Sequence, residues 1–161
     1  MSKSKDPIMK KPPLLKFSGD MINALLQGLE QLDPKVRMRI MEKCGDACAK
    51  QEYYGPALDI ARKIAEEETD LNRITERVNR EILWCGTWIN DGDIIHCTCQ
   101  ECGCPMVKYN VVKLRGTLCY CSRGWVKAIF ETLLKKPVRV ELEKARGFGD
   151  QKCRYVVHIR D

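Results

Sequence analysis

No stretch of this chain approaches the ~18 to 20 consecutive apolar residues that crossing a bilayer requires. The opening residues, with Lys3, Lys5, Pro7, Lys10, Lys11, Pro12 and Pro13, hold no apolar run of the secretory kind either. A cytoplasmic protein with no membrane partner is the expectation. Also missing are a Walker loop, a dinucleotide fingerprint, a nucleophile elbow and a histidine–glutamate zinc helix, so the commonest enzyme chemistries have no motif to rest on. Internal repeats and low-complexity runs are absent as well. Histidine is scarce, at two residues, whereas cysteine is plentiful, at ten in 161.

The net charge is +6, but it is unevenly placed. Lys3, Lys5, Lys10, Lys11 and Lys16 against Asp6 give residues 1–16 a charge of +4, leaving +2 for residues 17–161. A folded body so nearly neutral offers no large basic face, which disfavours nucleic acid as a partner. Residues 1–16 are expected to form a disordered basic tail, and residues 17–161 a single domain. With 44% apolar and 31% charged residues, that body can bury a core without disulfide staples.

The hydrophobic pattern first has a helical period. Ser18 is a candidate cap for a helix with Met21, Leu25, Leu26 and Leu29 on one side. Asp33 and Pro34 open a second helix through Cys48, with Ile40, Met41, Cys44, Ala47 and Cys48 as its buried stripe. Gly55 and Pro56 open a third through Ala57, Ile60, Ala61 and Ile64, and a fourth starts near Thr69 or Asp70 with Leu71, Ile74 and Val78. At Ile82 the character changes. Residues 82–89 and 94–99, around an Asn90–Asp93 turn, read as paired strands. Ser122 is then expected to cap a helix through Trp125, Ile129 and Leu133, ending before Pro137. Val138–Glu143 and Cys153–Ile159 complete a terminal hairpin. Helices first and antiparallel strands later predict an α+β fold, N-terminal helices packed on a largely antiparallel sheet.

In a reducing compartment, such a density of cysteine points to metal ligation or thiol chemistry rather than to disulfides. Cys44 and Cys48, four apart on a helix, leave one face together and can supply two ligands, or can simply be small core residues. His96, Cys97, Cys99, Cys102 and Cys104 crowd a segment with Gly103 and Pro105, where packing alone explains little. Cys119 and Cys121 add a third group. The expected metal site takes Cys44 and Cys48 together with Cys102, Cys104, Cys119 and Cys121 as a pool. Zinc is the first choice of metal and an iron–sulfur cluster the alternative. Cys85 and Cys153 are assigned to the core, His96 is open between nitrogen ligand, acid/base group and structural residue, and His158 has less claim still. Trp84, Trp88, Trp125 and Tyr120 are chiefly core candidates that can line an apolar pocket.

Residues 118–131 (LCYCSRGWVKAIFE), 136–142 (KPVRVEL) and 149–157 (GDQKCRYVV) resemble the end of 4-vinyl-reductase-type small-molecule-binding domains, although the Gly147-Phe148-Gly149 turn departs from their usual form. The L-2-amino-thiazoline-4-carboxylate hydrolase family ends in a broadly similar way. The resemblance implies an α+β pocket for a small apolar ligand, and the second family keeps an enzyme in view. Fold alone transfers neither chemistry. The leading expectation is a metal- and small-molecule-binding domain with a sensor or accessory role, homodimerisation being compatible with it. The rival is a metal- or thiol-dependent hydrolase or redox enzyme, with no catalytic residue assignable.

Overall fold

A computed structural model describes residues 12–51 and 56–159. The expected third-helix opening at Gly55 and most of the expected tail lie outside those residues. Four helices come first: α1 (Pro13–Leu29), α2 (Pro34–Ala49), α3 (Ala57–Glu67) and α4 (Leu71–Glu81). Strands β1 (Gly86–Asp91) and β2 (Ile94–Cys99) follow, then a single turn α5 (Pro105–Lys108), the long α6 (Gly116–Leu134), β3 (Arg139–Lys144) and β4 (Cys153–His158). The four strands form one antiparallel sheet in the order β1-β2-β4-β3. The α+β expectation is met. Among the described residues no helix is long and apolar enough to cross a membrane.

Local chemistry explains several boundaries. The Asp33 carboxylate accepts from the backbone N–H groups of Lys35 and Val36, and Pro34 takes the first helical position, where its missing N–H costs nothing. Asp70 caps α4 in the same way, through Asn72 and Arg73. Ser18, however, lies inside α1, which starts at Pro13 without a side-chain cap. Residues 13–16, expected in the tail, are therefore the first turn of a helix. Ser122 is likewise interior to α6. Its hydroxyl donates to the Cys119 carbonyl one turn back, a bond a helical serine can make as readily as a capping one. The strand expected from Ile82 begins only at Gly86, and Ile82–Cys85 connect α4 to it.

The main core fills the space between α3, α4, α6 and one face of the sheet, around Ile64, Val78, Trp88, Ile95, Ile129 and Phe130. A smaller core of Leu26, Met41, Val112 and Leu118 joins α1, α2 and α6. Two expected stripes are displaced. On α1, Leu26 is buried, but Met21 and Leu25 are 51% and 63% exposed. On α2 the buried positions are Met41, Gly45 and Ala49, while Ile40, Cys44 and Ala47 face outward. Gly45 decides this rotation. A Cβ there would overlap the Cys121 carbonyl oxygen and stand 2.7 Å from the Trp125 nitrogen, and a Cβ on Gly124 would overlap the Glu42 carbonyl. Two glycines thus let α2 and α6 cross backbone to backbone, and an Arg123–Glu42 ion pair of 2.9 Å bridges the crossing.

Candidate functional site

The α2–α6 crossing sets the position of two thiols. Cys48 follows Gly45 by one turn on α2, and Cys121 precedes Gly124 by one turn on α6, so the close approach brings the two side chains into hydrogen-bond contact. That contact lowers the Cys48 pKa to about 7 against the cost of its partial burial. The same contact, reinforced by burial and by the nearby Cys104 and Cys44, raises Cys121. The pair shares one proton much more readily than it holds two charges.

Three further segments reach the same place. After β2 the chain turns through Cys102, Gly103 and Cys104 into α5, and Cys104 has Cys102 and Cys48 as electrostatic neighbours. Cys119, two residues before Cys121 on α6, has its thiol pushed up to about 12 by burial, although the Gly147 backbone N–H stabilises its thiolate form. Cys153, on β4, accepts from the Arg146 backbone N–H at 3.4 Å. All six of these residues, Cys48, Cys102, Cys104, Cys119, Cys121 and Cys153, line a single cavity of about 100 Å³ at the junction of the two cores. Its remaining wall is chiefly apolar. Trp84 stacks on Trp125 at a centroid distance of 4.5 Å, and Tyr155 meets the Trp84 edge at 5.5 Å. The Tyr155 hydroxyl is tied to Ser122 at 2.8 Å. Met106, Leu114 and Leu118 close the side toward α5.

Of the six residues expected to hold metal, five line this cavity. Cys44 does not: it is exposed, because Gly45 rather than Cys44 faces α6. Cys153, expected in the core, is an unforeseen sixth thiol. Its signal was the period-two alternation of β4, which turns Cys153 and Tyr155 inward together. The cysteines at 97 and 99 are not loop residues. Alternation along β2 buries both on the inner face, with Cys97 opposite Trp88 and Tyr155 and Cys99 opposite Gly86 and Cys153. Burial pushes the Cys97 thiol up to about 12. Cys99 forms a disulfide with Cys85, a bond that the expectation of metal or thiol chemistry left out. His96 points the other way, into an open groove of about 530 Å³ with Thr87, Ile89 and Thr98 on the outer face of the sheet. That groove is open and of mixed polarity, and among the described residues only Cys85 and Cys102 border both spaces.

Among the described residues, no three His, Cys, Asp or Glu side chains converge closely enough to hold a metal ion as they stand. The thiols surround a space instead of meeting at a point. A family model described as a family of unknown function, DUF6144, matches residues 20–161. The chain belongs to this family. The match spans every element that contributes a thiol, from α2 to β4. No curated protein matches the chain.

Proposed function

We propose that the chain binds a thiophilic metal centre in the cysteine-lined cavity, in the cytoplasm, as a binding or accessory protein. The observation that carries this reading is the gathering of six free thiols, from α2, the 102–104 loop, α6 and β4, on the wall of one largely apolar cavity. Protein interiors contain few voids larger than a water molecule, yet this one has room for about three. A purely structural cysteine fills space as a small apolar group. These six instead leave space between them.

Size bears on the occupant. Organic ligands occupy pockets of roughly 300 to 1,000 Å³, well above the 100 Å³ found here. The small-molecule pocket implied by the 4-vinyl-reductase-type resemblance therefore finds less support in this cavity than an inorganic centre does. Soft thiolates select zinc, copper(I) or iron–sulfur centres over magnesium or calcium.

A second reading has its own observation. The Cys48–Cys121 contact, near the Cys85–Cys99 disulfide, has the composition of a thiol–disulfide exchange site. Elemental analysis of the anaerobically purified full chain separates the two. Stoichiometric zinc, copper or iron is expected, and it should fall at least tenfold in Cys48→Ala and Cys104→Ala but persist in Cys44→Ala. Metal-free protein that catalyses disulfide reduction would replace the metal reading with the redox one.

A further inference from the structure

We infer that the centre is an iron–sulfur cluster held by Cys48, Cys102, Cys104 and Cys121, rather than a single ion. This rests on the reading of the cavity as a thiophilic metal site. A mononuclear zinc site draws four donors to ~2.3 Å from one point, and the thiols here are not so gathered. A cluster makes a different demand. It brings its own bridging sulfides, so each thiolate need reach only one iron at the periphery of a body that fills the space between them. Thiols distributed around a void match that demand, and a void of about 100 Å³ admits a few atoms but not an organic cofactor.

Neighbour relations select four of the six thiols. Cys121 faces Cys48 and Cys104, and Cys104 in turn faces Cys102 and Cys48. These four form a connected set, drawn from three segments, around the Cys48–Cys121 pair. Cys119 neighbours Cys153, Cys102 and Cys104 but is not among the groups acting on Cys48 or Cys121, and backbone N–H groups of the 146–147 turn point at the sulfurs of Cys119 and Cys153. Backbone N–H groups of Met106 and Val107 act on Cys104 in the same sense, favouring its thiolate, the form that takes iron. The wall supplies the second requirement of a cluster, protection from water. Stacked Trp84 and Trp125, with Met106, Leu114 and Leu118, make the surroundings apolar.

Loading from a preformed cluster is a ligand exchange and moves no electrons. One bond from iron to a small external thiolate breaks as one bond to a cysteine sulfur forms, and the cysteine proton passes to the departing thiolate. Four such exchanges seat the cluster.

The test treats anaerobic, metal-free full-length protein with synthetic [2Fe–2S] or [4Fe–4S] clusters carrying small thiolate ligands, then measures iron and acid-labile sulfide after desalting. A parallel sample receives cobalt(II) alone. At least two irons per chain with matching sulfide, and visible sulfur-to-iron absorption, are expected. Retained iron should fall at least tenfold in Cys48→Ala, Cys102→Ala, Cys104→Ala and Cys121→Ala. It should hold in Cys44→Ala and Cys153→Ala, with circular dichroism showing each variant folded. Should Cys121→Ala fail to fold, the partly exposed Cys48 and Cys102 positions carry the comparison. One tightly bound cobalt with a tetrahedral thiolate spectrum, and no retained sulfide, overturns the cluster while leaving a metal centre standing. Binding of neither cobalt nor cluster removes both. Equal cluster retention in the Cys48 and Cys44 variants overturns the ligand assignment.

Discussion

Gly45 and Gly124 do more for the candidate site than any residue with a side chain. Each sits where a Cβ would overlap a carbonyl oxygen of the opposite helix, so α2 and α6 can approach only while both positions stay bare. Cys48 and Cys121 meet because of that approach. Gly45→Ala must push the helices apart or strain them, at a cost of ~1 to 3 kcal/mol or more for overpacking a closed interface. It should also separate the two thiols. Gly28→Ala is the matched control, since nothing lies within 4 Å of the added Cβ and a helical alanine is favoured over glycine by ~0.5 to 1 kcal/mol. Denaturant unfolding of both variants, with metal content measured alongside, checks the argument. A neutral Gly45→Ala that keeps its metal would show that the crossing is slack and does not position Cys48.

At the scale of elements, α4 guards the free edge of the sheet. Asn79 accepts from the Trp88 backbone N–H and donates to the Trp88 carbonyl, both at 2.8 Å, and so stands in for the strand that β1 lacks on that side. Asn79→Ala strips both partners from a backbone unit beside a buried tryptophan, and a loss of ~1 to 3 kcal/mol is expected. Thermal unfolding within error of the parent would mean that water replaces the amide without penalty. Such pairing cannot be read from a chain, because it joins two segments through one side chain. What could be read were elements with a local signature: the Asp33–Pro34 and Asp70 caps, the Asn90–Asp93 turn, and the four-residue rhythm of Trp125, Ile129 and Leu133. The start of α6 could not. Cys119 and Cys121 alternate as a strand would, and the helix that carries them is held by α2 rather than by its own pattern. The α2 stripe was misplaced for a related reason. Hydrophobic periodicity gives weight to Cys44 and Ile40 and none to Gly45, yet the glycine is the contact. Five of the six cavity thiols were nonetheless legible as candidates, since their crowding into three groups survives such errors of phase.

The whole molecule carries an unusual number of buried thiols, and this makes its stability depend on pH on the alkaline side. Burial pushes Cys97 and Cys119 up to about 12 and raises Cys104, Cys153 and Tyr155 as well. Unfolded thiols ionise near ~8.5. Below that pH both states keep these protons and the groups contribute nothing to the pH dependence. Between about 9 and 12 the unfolded chain has released protons that the folded chain still holds, so stability falls as pH rises, by up to ~1.4 kcal/mol per pH unit for each such thiol. Cys48 acts in the opposite sense. Its folded pKa of about 7 lies below the unfolded value, so its contribution grows between pH 7 and 9 and is lost as pH falls through 7. The metal-free protein should therefore be most stable near pH 8 to 9 and weaken steeply above. Urea unfolding at half-unit intervals from pH 6.5 to 10.5 measures this directly. Cys97→Ala isolates one group, because Cys97 is fully buried, lies outside the cavity and faces Trp88 and Tyr155. The variant loses packing at every pH, but its decline above pH 9 should be shallower than the parent's by about the share of one thiol. Parallel curves would show that Cys97 ionises in the folded state as easily as in the unfolded one, and that the inner face of the sheet is open to water.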